Sequence, residues 1–160
     1  MTEREEHMMK KILLLTALLL ASIPAFAAAQ TPPVESALTA WVKAVETGTV
    51  DDIVALYDKD AMMFSAFAVD PLTSHDQLRQ YFSKVVKEPN RTVDVTKQDV
   101  RQFGGVATNT GLYKFYFEQD GEPVELPARF TFVYVLKDGK WNIISHHSSR
   151  VPGIPKKTEK

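Results

Sequence analysis

His146 and His147 are the residues of this sequence best suited to proton chemistry. An imidazole titrates near neutrality and can act as general acid or base. The two are adjacent in a segment, Lys140 to Arg150, that reads as a strand, so their side chains point to opposite faces. Only one can look into a pocket, and the pair cannot hold one metal without a bend. The alternative for the inward one is a structural histidine bonded to Ser148, a tyrosine or backbone, since no carboxylate partner can be named from the sequence. Arg129 opens the preceding strand and shares a face with Thr131, Val133 and Val135, while Phe130, Phe132 and Tyr134 share the other. An arginine at a pocket mouth would hold a carboxylate or another anion through its fork. Its plainer reading is a surface ion pair with Glu122 or Glu125.

Tyr113, Tyr116 and Tyr134 add hydroxyls, although aromatics alternating along strands are more often core than site. Parity leaves open which face lines a pocket. The candidate catalytic groups are therefore His146 and His147, and the candidate ligand contacts are Tyr113, Arg129, Thr131, Tyr134, His147 and Ser149. His75 follows an N-cap and reads as a solvent-exposed first-turn residue. The four histidines show no H-x-H or H-x-x-x-H spacing and the chain has no cysteine, so neither a metal centre nor a cofactor is expected.

The elements that must carry these residues follow from periodicity. Leu38, Trp41, Val42 and Val45 recur at helical spacing, which predicts a helix from Val34 to Thr47 ended by Gly48. A shorter helix from Val50 has Asp51 and Asp52 in its first turn and Ile53, Val54, Leu56 and Tyr57 on its apolar side. Ala61 to Ala68 is a short apolar segment suited to a strand. A third helix starts at Ser74, with Gln77 placed as in a capping box and Leu78, Tyr81, Phe82, Val85 and Val86 on one face; Pro89-Asn90 ends it. From Val93 the period changes to two. Gly104-Gly105, Asp120-Gly121 and Asp138-Gly139 separate four long strands, the third broken near its start by Pro127. Helices followed by an antiparallel meander predict an α+β domain, with three helices on a curved, mainly antiparallel sheet that encloses a pocket.

Nineteen basic against twenty acidic residues leave a net charge of −1 and no basic stripe, so nucleic acid is not an expected partner. The amino-terminal stretch is different. Lys10-Lys11, the apolar run Ile12 to Leu20 and the Ala-rich exit at Ala25-Phe26-Ala27 have the order of a secretory signal peptide. The run is shorter than the roughly 20 residues a membrane span needs, and Pro24 interrupts it. Residues 1–29 are thus expected to be a signal peptide cleaved after Ala27 or Ala29, leaving a periplasmic or secreted protein without a membrane anchor. Met1 to His7 fit no n-region, which puts the expected start at Met8 or Met9. Residues 30–153 are expected to form one domain, and the charged end, 154–160, a disordered tail.

The order of elements resembles the nuclear transport factor 2-like superfamily (SnoaL-like folds among them), cone-shaped α+β barrels. More narrowly, the sequence resembles bacterial relatives of the calcium/calmodulin-dependent protein kinase II association domain. The matching stretches are Gln77 to Phe82, Gly111 to Phe115, Pro127 to Tyr134, Asp138 to Trp141 and His146 to Pro152. This resemblance implies a pocketed domain that pairs with itself, as a homodimer or larger ring, and takes a small apolar or anionic ligand. It implies no kinase activity, because nothing in the sequence resembles a glycine-rich nucleotide loop, a His-Arg-Asp loop or an Asp-Phe-Gly triplet. The other function open to such a fold is that of a cofactor-independent isomerase, dehydratase or hydrolase using a pocket histidine.

Overall fold

The computed structural model describes residues 31–119 and 121–153. The expected leader, its cleavage sites and the tail from 154 lie outside the described residues. The element order is α1 (Glu35–Thr47), α2 (Val50–Val54), β1 (Tyr57–Phe64), α3 (His75–Val85), β2 (Thr92–Phe103), β3 (Val106–Gln119), β4 (Glu122–Lys137) and β5 (Lys140–Arg150). The strands form one mixed sheet in the order β1-β5-β4-β3-β2, which stays open at both edges.

Helix α1 buries Leu38, Trp41, Ala44 and Val45, the stripe its spacing requires. It stops at Gly48, whose N–H still reaches the Ala44 carbonyl at 2.9 Å. A full capping box begins α2: Thr49 Oγ1 accepts from Asp52 N–H at 3.2 Å, and Thr49 N–H donates to Asp52 Oδ2 at 2.8 Å. At α3 the box is displaced by one residue. Ser74 Oγ accepts from Gln77 N–H, but the Gln77 side chain takes its backbone proton from Thr73 rather than Ser74.

The meander β2–β3–β4–β5 is as the turn signals predict, with Gly104, Gly121, Asp138 and Gly139 all at positive φ. Two expectations need correction. Pro127 does not break β4: it pairs with Lys114, and its carbonyl accepts from Val151 N–H at 3.2 Å. A strand residue sends its N and its O to the same side, so the missing N–H of Pro127 faces the finishing end of β5 and removes no bond to β3. Tyr57, expected on α2, instead begins β1, which runs parallel to β5 from Tyr57↔Ile143 to Phe64↔His147.

Curvature comes from local irregularities. Register slips between Val95 and Lys97 in β2, and at the pairs Val133↔Ser145 and Tyr134↔Ile143 between β4 and β5, bend the sheet. Gly111 permits the first of these, because a Cβ there would lie 1.9 Å from the Lys97 carbonyl oxygen and 2.8 Å from Phe130. The core fills the concave side, with Trp41 of α1 in aromatic contact with Tyr113, Phe115 and Phe132.

Candidate functional site

Alternation on β5 sends His146 inward, 1% exposed, and leaves His147 exposed on the outer face. The inward imidazole is stacked on Phe132, with ring centres 3.9 Å apart, and meets the edge of Trp41. A buried hydrogen-bonded chain supports it. Trp41 Nε1–H donates to Tyr57 Oη at 3.0 Å, and Tyr57 Oη lies 2.9 Å from His146 Nδ1. The other ring nitrogen, Nε2, is buried and has no hydrogen-bond partner among the described residues. Two residues further along β5, Ser148 Oγ accepts from the Tyr113 hydroxyl at 2.7 Å.

Trp41, Tyr113, His146 and Ser148 border a cavity of about 320 Å³ between α1, α3 and the concave sheet face. Trp41, Met63, Phe82, Tyr113, His146 and Ser148 form its floor, and Phe67, Tyr116 and Phe117 stand with Lys84, Glu88 and Arg91 nearer its rim. The size suits a small organic molecule. Burial sets the ionisation of the floor. It depresses the His146 pKa to about 3, with a smaller push from His147, so the ring is neutral. It raises the Tyr57 phenol well above its ordinary value, against the opposing bond from Trp41, and raises Tyr113 likewise.

Arg91 is the cation with the most contacts at the rim, and those contacts are structural. Its guanidinium donates to the carbonyls of Val45 (2.6 Å) and Gly48 (3.4 Å) at the end of α1, and to Val86 (2.8 Å) and Glu88 (3.5 Å) after α3. It thereby closes the orphan carbonyls of two helix ends at once.

The residues singled out from the sequence are divided between two environments. His146 and Tyr113 line the cavity. Tyr134 is fully buried, stacked on Phe132, and its hydroxyl has no partner among the described residues; it does not reach the cavity. Arg129, Thr131, His147 and Ser149 lie on the opposite face, where the register pairs Arg129 with Ser149 and Thr131 with His147. They are therefore not cavity-lining residues. The parity is decided by the aromatic set Phe130 and Phe132, which takes the helix-covered side. Neither Glu122 nor Glu125 is the partner of Arg129: Glu125 pairs with Lys114 at 2.8 Å. His75 is half-buried rather than exposed, with Nε2 close to the carbonyls of Tyr57 (3.2 Å) and Asp58 (3.1 Å), and so ties the start of α3 to β1. No three His, Asp or Glu side chains among the described residues gather as a metal site would require.

Sequence reasoning missed Trp41, Tyr57 and Arg91 as site residues. Trp41 carried one usable signal, since a buried indole needs an acceptor for its N–H. Its partner is 16 positions away, and the histidine that completes the chain is 89 from Tyr57. No local spacing rule reaches that far.

An open, curved sheet with helices and a cavity on its concave side is the nuclear transport factor 2-like arrangement. Solved structures agree: a candidate dehydratase of that family from Streptomyces avermitilis superposes with a TM-score of 0.67 at 18% identity, covering 74% of this chain and 94% of that one. A ketosteroid isomerase-like protein from Erwinia carotovora atroseptica gives 0.63 at 14% identity, covering 74% and 93%. At such identities the likeness is one of fold. Within the fold, the chain belongs to the calcium/calmodulin dependent protein kinase II association domain family, whose model matches residues 33–152. A candidate association domain of this kind from Xanthomonas campestris is 29% identical, with a TM-score of 0.71 over 84% of this chain and 95% of that one. No curated protein matches.

Proposed function

We propose that this protein is an exported, self-associating module that binds a small molecule in its cavity. The observation that carries the binding reading is the cavity itself, about 320 Å³, floored by aromatic rings and a buried histidine with one uncommitted nitrogen. Self-association is supported by membership of an association-domain family and by the uncovered outer face of the sheet. Export is supported by the leader pattern in residues 1–29.

Native mass spectrometry of the protein purified from its host tests all three parts. The expected spectrum is an oligomer of chains beginning at Ala28 or Gln30 with a small molecule retained. A strict monomer would remove the self-association reading, and an unprocessed amino terminus would remove export.

A second reading is a cofactor-independent isomerase, dehydratase or hydrolase, favoured by the Tyr57–His146 pair at 2.9 Å, of which His146 lines the cavity. Two features weigh against it. Among the described residues no carboxylate bonds His146, and an imidazole whose pKa is depressed to about 3 is a weak base at neutral pH. Holding a ligand is the better use of such a ring.

A further inference from the structure

Phe67 differs from the other rings of the cavity in its exposure. It is 56% exposed, whereas Trp41, Phe82, Tyr113 and Phe115, which line the same cavity, are buried or half-buried. It stands between β1 and α3 on a segment held at both ends. Before it, Ser65 Oγ lies 2.6 Å from the Tyr81 hydroxyl and accepts from Phe67 N–H at 3.1 Å. After it, Leu72 and Met63 each donate an N–H to the other's carbonyl at 2.9 Å. The Arg150 guanidinium sits 5.4 Å from the centre of the Phe67 ring, close enough for cation and ring to attract. The ring is thus kept at the mouth of the cavity with apolar area still in water, and a molecule in the cavity would cover that area.

The chemistry of the occupant follows from what the cavity lacks. The polar groups of the floor are turned to one another: Trp41 Nε1 and His146 Nδ1 meet Tyr57 Oη, and Tyr113 meets Ser148. His146 Nε2 is buried and offers a ligand no surface. Charge is confined to the rim and has both signs there, Lys84 and Arg91 beside Glu88. Arg91 in turn directs its guanidinium to four backbone carbonyls. An ion of either sign drawn inside would lose its hydration among Trp41, Phe82 and Tyr113 without a counter-charge in return. An apolar molecule loses nothing of that kind and buries area on every side.

We propose that the cavity takes a small, uncharged, apolar molecule, with the Phe67 ring buried against its outward end. This rests on the small-molecule reading above and gives the ligand a chemical class and a specificity-determining contact. Of the two ligand types that the family resemblance implies, it keeps the apolar one and rejects the anionic one.

Three probes of similar shape separate the possibilities: 2-methylnaphthalene (uncharged), 2-naphthoate (anion) and 2-naphthylmethylammonium (cation), titrated into the purified protein and followed by NMR. The hydrocarbon is expected to bind at least about tenfold tighter than either ion. Its ring current should move the indole signal of Trp41, which lines the cavity, and leave that of Trp141, whose N–H is bonded to the Pro32 carbonyl, in place. In Phe67→Ala the hydrocarbon should bind about tenfold more weakly, the worth of covering roughly half a phenyl ring. The variant should melt with the unsubstituted protein, because the side chain it loses is mostly in water. An ion that binds as tightly as the hydrocarbon, or an affinity indifferent to Phe67→Ala, overturns the proposal while leaving a binding cavity. The probe comparison needs no variant and decides the ligand class even if Phe67→Ala fails to fold. If none of the three binds, or binding leaves Trp41 unmoved, the small-molecule reading of this cavity falls too.

Discussion

The inner and outer faces of β3, β4 and β5 are built from the same strands, residue by residue in alternation, yet they present opposite chemistry. Inward, Tyr113, Phe130, Phe132, His146 and Ser148 are nearly inaccessible, and the titratable groups among them are held neutral by burial. Outward, the cross-sheet row Thr110–Thr131–His147–Phe64 and its neighbours Leu112, Arg129 and Ser149 are half-buried or exposed. On the inner face polar atoms bond one another across long chain separations: Trp41 to Tyr57, Tyr57 to His146, Tyr113 to Ser148. The outer face mixes Arg129 and His147 with threonines, Ser149, Leu112 and Phe64, all half-buried or exposed. On the proposed function, one face holds a small molecule and the other meets a second copy of the chain.

That contrast can be broken at Gly111, where the sheet's bend depends on the absence of a side chain. Gly111→Val would drive a methyl group into the Lys97 carbonyl and the Phe130 ring. The expected loss is about 4 kcal/mol or more, read as a collapse of the thermal transition. Removing the shared oxygen of the inner chain is the next largest effect. Tyr57→Phe strands both the Trp41 N–H and His146 Nδ1, and should cost about 3 kcal/mol in urea unfolding. A loss below about 1 kcal/mol would mean that the inner face does not depend on this network.

Acid sharpens the comparison without any substitution. Folded His146 stays neutral down to about pH 3, whereas a free imidazole gains its proton near 6.5. Between those values the unfolded chain binds a proton that the folded chain refuses, so stability is full above 6.5 and falls as the pH drops toward 3. From about pH 7 to about pH 5 this one group accounts for about 2 kcal/mol. That part of the slope should vanish in His146→Phe. Asp58, held below the usual carboxylate range mainly by its bond to Lys137, acts in the same direction but at lower pH.

The smallest effects on folding belong to the outer face. Thr131→Ser or His147→Asn should move monomer stability by no more than about 0.5 kcal/mol. A charge placed there, Leu112→Glu, should instead shift the mass seen by light scattering from oligomer to monomer. An unchanged mass would exclude this face as the self-association surface.

The long antiparallel strands were readable because alternation and Asp-Gly or Gly-Gly turns are local signals, and so were α1 and α3 through their apolar stripes. β1 was not. Its Asp58, Lys59 and Asp60 interrupt the apolar pattern, and its partner β5 comes much later in the chain. Pro127 was misjudged because its cost depends on what lies beside it, which here is the end of a strand. Within the site, the opposition of His146 and His147 could be read directly. The partner of His146 could not, because a hydrogen bond between residues 89 apart leaves no trace in spacing.

By itself the sequence determined the order of elements, the position of every hairpin, the family and the fact that neighbouring strand residues must part company. Only the tertiary structure decided which half of each strand faces the helices. Alternation of period two has two phases, and both were chemically plausible here: Arg129, Thr131, His147 and Ser149 on one, Phe130, Phe132, His146 and Ser148 on the other. Packing chose between them, because the Trp41 indole can be buried only against the aromatic phase, and the cavity forms where α1 and α3 cover that phase.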